Sequence, residues 1–281
     1  MAHLAENRYG KSSVRVMKVV RHETHHSMKE WSVRILLSGN FESCFTDADN
    51  SNILPTDTMK NTVYWLARHS SATEMESFAL ELTEHFLSSQ QQVEMVTVEI
   101  AEKSWQPMIV DHAPHPTTYQ MLGPELQTVE VTADRTRNFR VNSGVDGLMI
   151  LKTTHSAFTG FLRDQLTTLP ECEDRIFATR ATVVWQYQTQ PGDYAITRRS
   201  ILDIMLKTFA EHNSLSVQHT LFEMGKAALA AAPELAQIKL IMPNVHCLLV
   251  DLTRFGQTNP NQIFVPTDEP SGYIEAVVER D

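Results

Sequence analysis

His22-Glu23-Thr24-His25-His26 is the segment whose residue types offer chemistry most directly, because it satisfies the His-Glu-x-x-His zinc-protease pattern letter for letter. Zinc hydrolysis of that kind needs both histidines on one face of a helix, with the glutamate beside them as base. Here the segment links two strand-like runs with no amphipathic helix around it, so it reads as a solvated hairpin loop. Gly10-Lys11-Ser12 ends like a phosphate-binding loop, but Ala5 stands where that motif needs glycine, and a strand-like run follows instead of a helix. Neither Gly-x-Gly-x-x-Gly nor Gly-x-Ser-x-Gly occurs, which leaves dinucleotide and hydrolase-elbow readings without residues. Cys44, Cys172 and Cys247 are widely spaced and odd in number. They suggest neither a disulfide framework nor a thiolate zinc site, and a reducing compartment is expected.

The chain that must position any site has 281 residues, with 24 Lys+Arg against 34 Asp+Glu, a formal charge of −10. That acidity argues against nucleic acid or anionic lipid as partner, since both need a basic face. A content of 42% hydrophobic and 21% charged residues is that of a globular fold, and the length suggests about two domains. No stretch approaches the roughly 18 apolar residues of a membrane span, and the N-terminus has no apolar signal core. The ending Glu279-Arg280-Asp281 is not a peroxisomal tripeptide, so a soluble cytoplasmic protein is expected.

Period-two runs at Val14–Val20 and Trp31–Ser38 predict an antiparallel hairpin. Pro55-Thr56-Asp57-Thr58 opens a predicted helix through Met59–Arg68. Thr73 and Glu76 have capping-box spacing before a second helix, whose Met75, Phe78, Ala79, Leu82 and Phe86 share a face. Strand signals follow at Val93–Ile100 and Leu126–Val131. The pattern then repeats, with strands at Asn138–Val141 and Gly147–Thr153, a helical stretch near Phe158–Leu166 and a strand at Thr182–Tyr187. Helices at Arg199–Glu211 and Val217–Ala231 precede strands at Gln237–Met242 and Val245–Leu252. The expected architecture is α+β, two similar modules of residues 1–137 and 138–281 with helices on one face of antiparallel hairpins. If the other face is apolar, a second copy of the chain is its natural cover.

Several segments, read in order, resemble the urate oxidase (uricase) family. They include Arg8-Tyr9-Gly10-Lys11-Ser12, Ala48-Asp49-Asn50-Ser51, Thr56-Asp57-Thr58-Met59-Lys60-Asn61-Thr62 and Gly147-Leu148-Met149-Ile150-Leu151-Lys152. Further along come Phe158 with Gly160-Phe161-Leu162-Arg163-Asp164, Thr167-Thr168-Leu169, Asp174-Arg175-Ile176, Lys207-Thr208-Phe209-Ala210-Glu211, Ser216-Val217-Gln218 and Pro243-Asn244-Val245-His246. The resemblance runs collinearly over nearly the whole chain. It implies the tunnelling fold (T-fold), with two tandem modules per subunit and four subunits closing barrels around a tunnel. It also implies cofactor-free oxidation of urate by O2 and water to 5-hydroxyisourate and hydrogen peroxide, with no metal. The active sites would lie at subunit interfaces, Lys11, Thr56 and Asp57 coming from one chain and the remaining residues from its neighbour.

Urate is a flat, anionic purine trione, and the resemblance assigns its binding to Phe158, Leu169, Arg175, Val217 and Gln218. Arg175 offers a planar fork for bidentate capture of anionic oxygens. Gln218 pairs donor and acceptor with a purine edge, the Val217 amide adds a donor, Phe158 stacks and Leu169 is an apolar wall. Lys11 is the implied base, provided its pKa falls well below the free value of about 10.4. Thr56 passes the proton and His246 extends the relay. Asn244 and Thr56 hold oxygen or water, and Asp57 fixes the Thr56 loop and one edge of urate. Taken singly these residues have plainer readings: Phe158 and Leu169 as core, Arg175 paired to Asp174, Thr56 and Asp57 as helix caps, His246 as a satisfied core histidine. Two other functions stay open at this point, a GTP cyclohydrolase-like T-fold enzyme and a non-catalytic purine binder.

Overall fold

The computed structural model describes residues 2–280. It is a mixed α/β protein built on antiparallel strands, and it divides between Gly144 and Val145 into two compact units. Residue 137, where the sequence places the join, lies in the turn just before the strand that crosses this division.

Unit 1 contains β1 (Tyr9–Arg21), β2 (His26–Gly39), α1 (Glu42–Thr46), α2 (Thr56–His69), α3 (Met75–Ser89), β3 (Val93–Val110) and β4 (Ala113–Asp134). Its sheet order is β1-β2-β3-β4, antiparallel throughout. Alternation sends Trp31, Val33, Ile35 and Leu37 of β2 and Val96, Val98 and Ile100 of β3 inward, all buried, as are Met59 and Val63 of α2 and Phe78, Leu82 and Phe86 of α3. Trp31 and Phe78 stack with centroids 5.0 Å apart, and truncating Phe78 to alanine would cost about 3–5 kcal/mol. The opposite face carries polar pairs in its middle. Arg34 reaches Glu99 at 3.0 Å and Thr97 meets Thr132 at 3.1 Å, so that region of the sheet is not the apolar face that would demand a cover. Exposed apolar side chains sit instead toward the hairpin ends, at Met17, Ile109, Met121 and Leu122.

β5 (Phe139–Lys152) runs across the division, one strand where the sequence suggested two. Unit 2 continues with β6 (Phe177–Tyr187), α4 (Tyr194–Glu211), α5 (Val217–Ala231), β7 (Leu235–Ile241), β8 (Asn244–Leu249), β9 (Phe264–Gly272) and β10 (Glu275–Glu279). β7 lies between β6 and β10, while β8 pairs the start of β6 and, on its other edge, β9. Buried Phe177, Val183 and Trp185 of β6, with Ile238 and Leu240 of β7, line up with buried Ile201, Met205 and Phe209 of α4 and Leu221, Met224 and Ala228 of α5.

Other sequence expectations fail as well. Residues 158–166 are irregular, not helical, because Phe158 bridges Cys172 and Gly160 adopts a positive φ of 69°. The Thr73–Glu76 capping box does not form. The N-cap is Glu74 without a side-chain cap, and the buried Glu76 carboxylate accepts from Ser143 Oγ at 2.5 Å instead. β2 begins at His26, ahead of the run predicted from Trp31, so His22–His25 alone form the turn.

Both units secure their helix ends in the same way. Lys18 donates to Ser70 O and Ala72 O after α2, and Lys152 donates to Phe209 O and His212 O after α4. Arg135 reaches Leu87 O and Gln90 O after α3, and Arg280 reaches Leu229 O and Ala232 O after α5. Cations at carbonyl-rich C-termini satisfy orphan acceptors and complement the helix dipole.

Candidate active site

In unit 1, Lys11 sits where β1 bulges. Lys11 pairs with Ile35 but Val14 pairs with Val33, so one extra residue is inserted, and Ser13 takes a φ of 57°. Bulges of this kind re-aim a side chain out of the ladder. Gly10 is required there, because a Cβ would stand 1.8 Å from the Ile35 carbonyl oxygen. Thr56 is half-buried as the first residue of α2, and the N-cap is Pro55 with no side-chain bond. Thr56 is therefore not the cap, and among the described residues its hydroxyl has no hydrogen-bond partner. Asp57 is exposed. Its carboxyl is held below the usual carboxylate range by Lys60 first, helped by Asn61 at 3.0 Å and by the charge of Lys11. Lys11 and the start of α2 are thus electrostatic neighbours within this unit.

In unit 2, two isolated bridges gather the binding residues. Phe158 exchanges backbone hydrogen bonds with Cys172 at 2.7 and 3.1 Å, and Ser156 accepts from Arg175 N at 2.8 Å. Ala157 N donates to Ser214 O at 2.7 Å, two residues before the α5 N-cap, Ser216. Ser216 Oγ accepts from His219 N at 3.1 Å, leaving the first-turn amides of Val217 and Gln218 without intrahelical acceptors. Such a helix start attracts an anion. Gln218 is exposed and Val217 buried.

The Arg175 guanidinium carbon lies 5.3 Å from the Phe158 ring centroid. Burial pulls the Arg175 pKa below its usual value, the Cys172 sulfur acting the other way, and a guanidinium remains cationic at neutral pH nonetheless. Among the described residues no carboxylate pairs with it. Asp174, the plainer partner, instead accepts from Thr154 Oγ1 at 2.7 Å and Ser156 N at 3.4 Å. A half-buried cation without a counter-charge is costly unless an anion answers it.

Asn244 and His246 face each other along β8, Nδ2 to Nδ1 at 3.3 Å, both half-buried, so His246 is not a fully buried core histidine. Leu169 is 50% exposed on the loop returning to Cys172. Sequence reasoning missed Phe161, which stacks on Phe158 at 4.9 Å and 11°. It also missed Tyr9, whose hydroxyl holds Leu54. Phe161 lay within a segment shared with the family, but nothing local marks either contact. Among the described residues no three His, Cys, Asp or Glu side chains cluster to hold a metal. No helix there is long and apolar enough to cross a membrane.

The framework is one of antiparallel strands with helix pairs, with a bulged lysine in unit 1 and an aromatic–guanidinium cluster near a helix start in unit 2. The sequence profile of the Uricase family matches residues 7–132 and 141–275, and the chain belongs to that family. A uricase of Arthrobacter globiformis is 39% identical over 99% of this chain and 90% of its own length, and one of Dictyostelium discoideum is 36% identical over 100% and 98%. The crystal structure of uricase from Arthrobacter globiformis superposes with a TM-score of 0.94 at 37% identity, covering 100% of this chain and 96% of that one. Urate oxidase from Bacillus sp. TB-90, at 21% identity and a TM-score of 0.86 over 98% and 100%, shares the fold.

Proposed function

We propose that this protein oxidises urate with O2 and water to 5-hydroxyisourate and hydrogen peroxide, without metal or organic cofactor. The observation that carries the reading is the Arg175 guanidinium, half-buried, free of carboxylates and set over Phe158 beside the start of α5. Arg175 would take two anionic oxygens of urate, Phe158 its ring face, and Gln218 with the Val217 amide the remaining edge. Leu169 would close the apolar side.

Proton removal makes the ring electron-rich enough to pass electrons to O2. Lys11 would take that proton, Thr56 would relay it, and His246 would extend the path. Asn244 and Thr56 would hold O2 or the attacking water above the ring, with Asp57 steadying the start of α2. The unbonded Thr56 hydroxyl supports this, because a relay group needs both a donor and an acceptor available.

Each site would combine Lys11, Thr56 and Asp57 of one chain with the unit 2 residues of a neighbour, in a homotetramer of tandem T-fold modules, residues 1–137 and 138–281, working in the cytoplasm. The individually exposed Met17, Ile109, Met121 and Leu122 are the apolar side chains such an assembly would cover. The test is loss of urate absorbance in air with matching peroxide, with and without a strong chelator. Turnover that survives chelation is expected; loss on chelation, or binding without turnover, would overturn the reading.

A further inference from the structure

Tyr9 stands two residues before Lys11, and Leu54 stands two residues before Thr56. The Tyr9 hydroxyl joins them: it donates to Leu54 O at 3.1 Å and accepts from Leu54 N at 2.8 Å. One oxygen bonded to both backbone groups of a single residue fixes that residue's position and its rotation about the chain axis. The phenol itself is held. Its ring stands edge-on to Phe41 at 4.8 Å and 89°, and Phe41 is fully buried. On the other flank Gln92 Nε2 donates to Asn52 O at 3.1 Å. The segment between α1 and α2 has no strand ladder, so these contacts set where α2 begins. Burial raises the Tyr9 pKa, with Leu54 and Cys44 as smaller influences, so the hydroxyl keeps its proton, and both bonds, into alkaline pH.

We propose that Tyr9 is a positioning residue for the reaction, its hydroxyl clamping Leu54 so that the Thr56 hydroxyl stays in register with the Lys11 amine. The inference rests on Lys11 and Thr56 being the proton-transfer pair. Both groups are then anchored to one short stretch of β1: Lys11 by the bulge, Thr56 through Tyr9.

Tyr9→Phe keeps the ring on Phe41 and removes both bonds. The expected result is a kcat lower by about 10- to 100-fold with a KM for urate within about twofold, because the proposed partners of its anionic oxygens and ring face, Arg175 and Phe158, lie in unit 2. The pH profile of kcat should shift, and Tyr9→Phe combined with Thr56→Ala should fall no further than Thr56→Ala alone. A purely structural role would lower the melting temperature and leave kcat per folded site and its pH profile untouched, and that outcome, or multiplicative losses in the double variant, overturns the clamp. Impaired Thr56→Ala beside wild-type Tyr9→Phe sinks the clamp alone; wild-type Thr56→Ala sinks the proton relay and the clamp with it. Should Tyr9→Phe not fold, 3-fluorotyrosine at position 9 leaves both bonds at neutral pH but ionises earlier. The alkaline loss of kcat should then move to lower pH, and an unmoved limb overturns the proposal.

Discussion

Unit 1 and unit 2 each set a pair of helices with antiparallel strands, and they differ in the side chains displayed near the helix starts. In each, a strand lysine and an arginine cap the C-termini of the two helices: Lys18 and Arg135 in unit 1, Lys152 and Arg280 in unit 2. What differs is which residues stand near the helix starts. Unit 1 opens α2, whose Thr56 hydroxyl is unbonded beside the Lys11 bulge, while the start of α3 is buried with Glu76. In unit 2 both helix starts carry a side-chain cap, Asp193 accepting from Ile196 N at 2.9 Å for α4 and Ser216 accepting from His219 N at 3.1 Å for α5, and α5 is the one whose approach is tied to the Phe158 segment, by Ala157 N on Ser214 O. On the proposed reading the two units are unlike half-sites, one that moves protons and one that grips an anion.

If that contrast is right, substitutions in the two units should separate in their kinetics. Lys11→Met should lower kcat by about 10²- to 10⁴-fold with little change in KM, as loss of a general base does, and steady-state rates at saturating urate check it. An intact kcat would remove unit 1 from the chemistry. Arg175→Ala should instead raise KM by about 10- to 100-fold, the worth of hydrogen bonds to a charged group, with kcat less affected; anaerobic urate binding gives the same quantity directly.

Acid sensitivity should concentrate in unit 1. The buried Glu30 carboxyl is held down at about 2 by Lys103, then Trp105 Nε1 at 2.9 Å, and Arg15. Its ordinary value is 4.5, so the stabilisation is complete above that pH and is lost as pH falls toward 2. Urea midpoints of Glu30→Gln should therefore vary less with pH across that window than those of the wild-type chain. Ser216→Ala should cost about 1 kcal/mol by removing the α5 N-cap, and should weaken urate binding as well. Smallest are the shared caps. Lys18→Met and Lys152→Met should each cost about 0.3–1 kcal/mol, and a wide disparity would show that the scaffold is less symmetric than it looks.

The sequence was most legible where burial sets the pattern. α5 spans Val217–Ala231 as its apolar period indicates, and the inward faces of β2 and β3 follow simple alternation. Periodicity misled where apolar residues lie in an exposed loop instead of a core. Phe158, Phe161, Leu162 and Leu166 mimic a helix face, yet Leu162 is 94% and Leu166 80% exposed, and the aromatic pair stacks in a loop. Local rules also fail against distant partners. Glu76 matches a capping box, but a serine 67 positions away claims its carboxylate. The resemblance supplied candidate residues that composition could not. The freedom of Arg175 from Asp174, and the tie from Tyr9 to Leu54 across 45 positions, needed the folded backbone.

The central claim is that a working site takes unit 1 from one chain and unit 2 from another. Mixing Lys11→Met chains with Arg175→Ala chains during refolding tests it, with native mass spectrometry to verify hybrids. Each variant alone should be inactive at low urate. Equal mixing should restore about a quarter of the wild-type sites, since a closed symmetric assembly pairs intact halves at that frequency. Hybrids that form yet stay as inactive as their parents would contradict the account.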